Sequence, residues 1–317
     1  MSAPVAAIDC GTNSIRLLIA RRDEASGRLV DVERRLEMVR LGLGVDRTGR
    51  FDPVAVDRTL EAARGYQELV ERHGVRREDI RFVATSATRD AANRDEFIGG
   101  IQQILGITPE VITGQEEAEL SFRGAVSTVE GLPEGPALVV DIGGGSTELV
   151  LGTDAPTHRI SLDIGSVRLT ERHLRSDPPT PEEIAAATAD VDALLDDAAA
   201  AIPLGEVAAL VGVAGTVTTV TAVASGIRDY RPDVTHGAHL GIEQVRRVCA
   251  ELLGETRDER ARHEVIHPGR LDVIGAGALI WARVVERVAV ASGIGSTRTS
   301  EHDILDGIAL DLLDHVP

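Results

Sequence analysis

The chain contains no lysine; all 33 of its basic residues are arginine. That absence removes the phosphate-loop lysine of Walker-type nucleotidases, Schiff-base chemistry and pyridoxal phosphate attachment. What remains is guanidinium, which forks onto phosphate oxygens bidentately. Aromatic residues make up 2% of the 317 positions while hydrophobic residues make up 43%, so the core must be built from Val, Leu, Ile and Ala. The two cysteines, Cys10 and Cys249, are too few for a disulfide framework and lack the paired spacing of a thiolate zinc site. No apolar run reaches the roughly 20 residues of a membrane span, and no basic stretch leads into an apolar one at the start. A cytoplasmic protein without membrane contact is expected. The 51 acidic residues outnumber the basic ones to give a net charge of −18, which argues against non-specific nucleic-acid binding.

What is present is a repeat. Residues 6–20 and 138–152 share one pattern: an apolar run suited to a buried strand ends at an aspartate, turns through glycines and a serine, and resumes as a second apolar run. Asp9, Gly11 and Ser14 of the first copy align with Asp141, Gly143 and Ser146 of the second. Glycine leaves amide N–H groups open to phosphate oxygens, and a carboxylate at the tip can hold a divalent cation. One such turn is weak evidence. A turn alone, however, has no need of a carboxylate at the same offset twice.

Four strings follow one another in order: Asp9-Cys10-Gly11-Thr12-Asn13-Ser14-Ile15-Arg16, Thr85-Ser86-Ala87-Thr88-Arg89-Asp90-Ala91, Thr113-Gly114-Gln115-Glu116-Glu117-Ala118 and Asp141-Ile142-Gly143-Gly144-Gly145-Ser146-Thr147-Glu148. Together they resemble the exopolyphosphatase and guanosine pentaphosphate phosphohydrolase family, in its short two-domain class, over nearly the whole chain. The resemblance implies an α/β protein of the actin, sugar kinase and heat-shock ATPase superfold: two actin-like, ribonuclease H-like domains with mixed sheets flanked by helices and an active-site cleft between them. The first is expected over 1–130 with 300–317 packing back onto it, the second over 131–299.

The same resemblance makes Glu117 the base that activates water. Adjacent helical carboxylates point about 100° apart, so only one can face the cleft, and Glu116 better suits a helix-start residue that favours the helix N-terminus electrostatically. Arg89 would neutralise charge on the scissile group. Asp141 and Glu148, seven residues apart across a tight turn, are the expected Mg²⁺ ligands (Mn²⁺ being an alternative), with Asp9 completing the shell. Gly11, Thr12, Asn13, Ser14 and Arg16 of the first loop, Gly143, Gly144, Gly145 and Ser146 of the second, and Gly215, Thr216 and Arg270 are the expected phosphate contacts. Arg40, Arg94, Arg123, Arg168 and Arg298 lie near the motifs as well, most of them expected to be ordinary surface residues. The expected substrate is inorganic polyphosphate or, with the same bond type, guanosine pentaphosphate; a kinase or a non-catalytic binder on the superfold remains open. A shared phosphate grip is compatible with (p)ppGpp as an inhibitor, and relatives of this kind are often homodimers.

Apolar periodicity predicts helices over 53–73, 93–105, 116–129, 181–201 and 301–316, a further helix from Val217, and strands over 81–85 and 208–213. Gly131–Gly135, with Pro133 inside, is the expected linker. His236-x-x-His239 and His263-x-x-x-His267 have metal-compatible spacing but no obvious third ligand. Cys10 is expected to be a small core residue.

Overall fold

The computed structural model describes residues 2–315. The chain forms two compact units, one made of the residues up to Gly124 together with those from Ile304 onward, the other of Ala125–Asp303. Residues 131–135 fall within the second unit. Each unit is a mixed sheet flanked by helices, as expected of the α/β class.

The first unit holds a five-stranded sheet of order β3-β2-β1-β4-β5, with β1 Val5–Cys10, β2 Ile15–Arg22, β3 Leu29–Glu37, β4 Ile80–Ala84 and β5 Glu110–Val111. The first three strands form an antiparallel meander, and β4 and β5 are added parallel to β1. The second unit repeats that plan: β6 Ala137–Ile142, β7 Thr147–Gly152 and β8 Pro156–Leu162 form the meander, and β9 Ala209–Val213 and β11 Ser296–Thr299 are the parallel strands. A short strand, β10 His239–Gly241, extends its edge. β1 and β6 are buried along their whole length. This is why both read as continuous rather than alternating apolar runs.

Local signals set the helices. Asp52 caps the helix Pro53–Arg72 by accepting from the Val54 amide, and Thr180 with Glu183 forms a reciprocal capping box at the helix Pro181–Ala201. The final helix runs Ile304–His315, so the last position of the expected 301–316 segment lies outside the described residues.

That final helix completes the first unit. Ile304, Leu305, Ile308, Ala309 and Leu313 bury against Val5, Ala7, Leu18, Ala20, Val83, Ile112 and Leu120. Asp306 meets Arg34; burial opposes the guanidinium charge, but the carboxylate 2.5 Å away outweighs it and keeps Arg34 ionised. Asp311 meets Arg81 at 3.0 Å. The tightest point is Gly307, where a Cβ would lie 2.0 Å from the Leu120 carbonyl oxygen. Leu120 belongs to the helix Gly114–Val126, which also carries Glu117.

Gly307→Ala should therefore cost about 2–3 kcal/mol, the overpacking range, because backbone cannot yield as a side chain can. Gly99→Ala, in the helix Arg94–Leu105 with open space at its Cβ, should leave stability unchanged or raise it by up to about 1 kcal/mol. Urea unfolding of the two variants checks the contrast.

Candidate active site

Glu117 is a buried carboxyl in the first turn of its helix. The Thr113 hydroxyl accepts from the Glu116 amide 3.2 Å away and fixes that turn. Successive helical residues point about 100° apart. Glu116 accordingly faces outward to Arg81, at 3.0 Å, while Glu117 turns inward to Arg89 Nη1, at 2.7 Å. Arg89 comes from the helix Ser86–Asp90 and also donates to the Ile112 carbonyl at 3.1 Å. Burial pushes the Glu117 carboxyl up to about 7; Arg89 pulls against this, nearby Asp9 adds to it, and a hydrogen bond with the Thr85 side chain opposes it. A carboxyl poised there is half ionised near neutrality, the condition a general base needs.

The two repeat loops have matching backbones. The Gly11 amide donates to the Ser14 carbonyl at 2.9 Å, and the Gly143 amide to the Ser146 carbonyl at 3.0 Å. Thr12 and Asn13 lend their carbonyls to the Gly42 and Arg40 amides, both at 2.8 Å. The close approach is at Gly42, whose Cβ would lie 2.4 Å from the Thr12 methyl.

Hairpin register separates the copies. In the first, Asp9 lies directly opposite Arg16, and the pair closes at 2.6 Å. In the second, Asp141 lies directly opposite Glu148. Both are buried, and Ser161, opposite Glu148 on β8, donates to it at 2.7 Å. At the same place in the repeat, one unit thus carries an ion pair and the other a pair of acids.

The second loop is held from behind by a helix the sequence did not flag. The Ser166 amide donates to the Gly143 carbonyl at 3.0 Å, and the Val167 and Arg168 amides to the Gly144 carbonyl at 2.9 and 3.1 Å. In a trans peptide the N–H opposes the C=O. The Gly144 and Gly145 amides therefore point away from that helix, an arrangement suited to an anion. Gly165 permits the approach, since a Cβ there would lie 2.5 Å from Gly144 backbone atoms.

A third element of the second unit follows β9. Asp141 is the register partner of Val213, the next residue is Ala214, and the helix Ala214–Ala224 begins there rather than at Val217. Ala214 has φ 63°, a left-handed conformation that costs a non-glycine residue about 1–3 kcal/mol. Gly215 then supports Arg270, whose Nη1 donates to the Gly215 carbonyl at 2.9 Å; a Cβ on residue 215 would lie 2.0 Å from the guanidinium carbon. Thr216 packs close to Gly277.

Within the first unit the structure brings Asp9 to Arg16 and Glu117 to Arg89, and within the second Asp141 to Glu148 and Gly215 to Arg270. Arg123 instead ties Asp311 and Asp314, and Arg298 donates to the Gly237 carbonyl. Cys10 is buried in the core. His263 pairs with Glu255 at 2.9 Å, close to Glu251, and His267 caps the short turn at Gly269. Among the described residues, no helix is long and apolar enough to cross a membrane.

The sequence matches the Ppx/GppA phosphatase family over residues 18–312. The chain belongs to that family. It is 49% identical over 315 residues to "Exopolyphosphatase 2" of Mycobacterium tuberculosis strain H37Rv, covering 97% of this chain and 98% of that one. A solved exopolyphosphatase-like protein superposes with a TM-score of 0.94 at 47% identity, over 99% of this chain and 100% of the other. A "Guanosine-5'-triphosphate,3'-diphosphate pyrophosphatase" of Pseudoalteromonas atlantica is 35% identical over 227 residues, 71% of this chain and 44% of its own length.

For this Ppx/GppA chain the raised Glu117 carboxyl has a linkage consequence. Its folded value of about 7 exceeds the ordinary carboxylate range. The contribution to stability is then fully present at acid pH and lost as pH rises through about 7. Relative to wild type, Glu117→Gln should gain stability as pH rises from about 5 to about 8. Thermal melts of both proteins across that range check it, and a constant offset would mean that the carboxyl titrates normally.

Proposed function

We propose that the chain is an exopolyphosphatase: it hydrolyses the terminal phosphoanhydride of inorganic polyphosphate and releases orthophosphate. The observation carrying this reading is the Glu117 carboxyl, buried at 2.7 Å from Arg89 and poised near neutrality, in a chain 49% identical to an exopolyphosphatase. Glu117 takes a proton from water, whose oxygen attacks the terminal phosphorus. The bridging P–O bond breaks, and its electron pair leaves with the shortened chain. Arg89 holds the Glu117 carboxylate in place and offsets phosphoryl charge. Glycine amides of the loops, Arg16 and Arg270 hold phosphate oxygens.

Asp141 and Glu148 fit a hard cation. They are opposed carboxylates on adjacent buried strands, an oxygen donor set that suits Mg²⁺ or Mn²⁺. Bound there, the ion would neutralise charge on phosphate oxygens. Asp9 is already engaged by Arg16, so we leave it out of this pair and assign it the orientation of that guanidinium. The same phosphate contacts serve guanosine pentaphosphate, the second substrate to test in view of the Pseudoalteromonas relative, and they let (p)ppGpp compete. Two buried thiols and the lack of a membrane-spanning helix among the described residues support a cytoplasmic location.

Glu117→Gln should lower phosphate release from polyphosphate by roughly 10²- to 10⁴-fold, and kcat/KM of the wild type should fall as pH drops below about 7, where the base is protonated. Glu116→Gln should change either within a few-fold. Assays with polyphosphate, guanosine pentaphosphate, and ATP plus acetate decide among hydrolase, alarmone phosphohydrolase and kinase; release from none of the three would overturn the reading.

Mg²⁺ should raise the melting temperature of the wild type and much less that of Glu148→Gln, whose opposed acid pair is gone. EDTA should abolish phosphate release. Full activity in excess chelator would remove the cation from the account.

A further inference from the structure

Twelve described residues have positive φ, ten of them glycine. The exceptions are Ala214 and Arg40, and both border the candidate phosphate loops. Strain in a non-glycine residue persists only where the surroundings enforce it, and it points from the outlier toward a role.

Around Arg40 the surroundings are well defined. Arg58 clamps the Val39 carbonyl with two donors, the Arg40 amide donates to the Asn13 carbonyl, and the Gly42 amide donates to the Thr12 carbonyl. Val39 and Leu41 are buried, and Arg40 between them stays partly exposed. Two residues on, the missing Cβ of Gly42 lets this segment lie against Thr12 and Ala87, the latter in the helix that bears Arg89. Residue 40 is therefore pinned, by backbone, to the tip of the first loop and next to the helix of the catalytic arginine. Glycine would meet the φ of 51° without strain, and the same segment uses it at Gly44, where φ is 78°. Arginine stands here where glycine would be unstrained, and what it adds is a guanidinium. In a chain of net charge −18 whose substrate is a polyanion, a guanidinium at a phosphate loop is a binding group.

We propose that Arg40 is a further substrate-binding residue, contacting a phosphate group held at the Thr12-Asn13 loop. This rests on the reading of the chain as a polyphosphate hydrolase. Arg40→Gly and Arg40→Asn both accept the left-handed backbone while removing the guanidinium. Each should raise KM for polyphosphate about tenfold, the effect of one lost charge-assisted contact, with kcat within a few-fold and a melting temperature close to wild type. Arg40→Lys should recover part of the loss.

The same variants in the Glu117→Gln background give equilibrium binding of polyphosphate by calorimetry, a readout that does not depend on turnover. Weaker binding in both neutral variants supports the proposal even if the wild type hydrolyses nothing, the outcome that would sink the hydrolase reading alone. Unchanged KM and binding in Arg40→Gly and Arg40→Asn overturns the proposal and leaves the hydrolase reading standing. A loss that tracks a fallen melting temperature and is equal in Arg40→Lys also overturns it, because it would show that residue 40 acts only on the fold. If the wild type neither binds nor hydrolyses polyphosphate, both fall.

Discussion

A single carboxyl kept out of water governs the first unit. Glu117 is buried beside one guanidinium, and the opposing pulls of burial and Arg89 leave it near its midpoint at neutral pH. Either influence alone would ruin the balance: burial without a partner would hold it protonated, and a solvated partner without burial would leave it a weak base. The fold maintains both conditions by fixing the helix Gly114–Val126 from two sides. Thr113 sets its start, and the Leu120 carbonyl lies against Gly307 on its far face.

The duplicated hairpin shows how one local structure is adapted to two chemistries. Register puts residue i opposite residue i+7 in both copies, so Asp9 meets Arg16 and Asp141 meets Glu148. The backbone, down to the amide-to-carbonyl bond across each turn, is the same. At the position that carries Arg16 in one copy, the other copy carries Glu148. With no lysine available, every compensating charge on these loops is a planar fork, directional enough to be set by a carboxylate or a carbonyl before substrate arrives.

Much of this was legible in the sequence, and the exceptions share a cause. The repeat, its two loops and the helix over 181–201 follow from local pattern: apolar runs, glycines at a fixed offset, and Thr180 three residues before Glu183. Glu117 and Glu116 were assigned opposite fates by family resemblance together with helical geometry, and their surroundings differ accordingly. What escaped notice depends on contacts between distant segments. Gly165 has no local signature, since its need comes from the backbone of Gly144. The helix start at Ala214 was missed because no residue preference favours alanine in a left-handed turn. Gly307, inside a helix, resembles a weak helix former until Leu120 is brought against it.

The first unit is discontinuous, and this bears on the order in which the protein can fold. Ala125–Asp303 is contiguous, so all its strands are available once that stretch exists. The sheet β3-β2-β1-β4-β5 is different: the face made by Val5, Ala7, Leu18, Ala20 and Val83 is covered by residues 304–313, some three hundred positions away from its first strand. Closing so long a loop adds little to the equilibrium cost, about 0.6 kcal/mol per doubling of length, but contacts this distant form late. A chain emerging N-terminus first therefore carries an apolar sheet face until residues 304–313 have been made. The helix that bears Glu117 gains its support from Gly307 only when residues 304–313 dock.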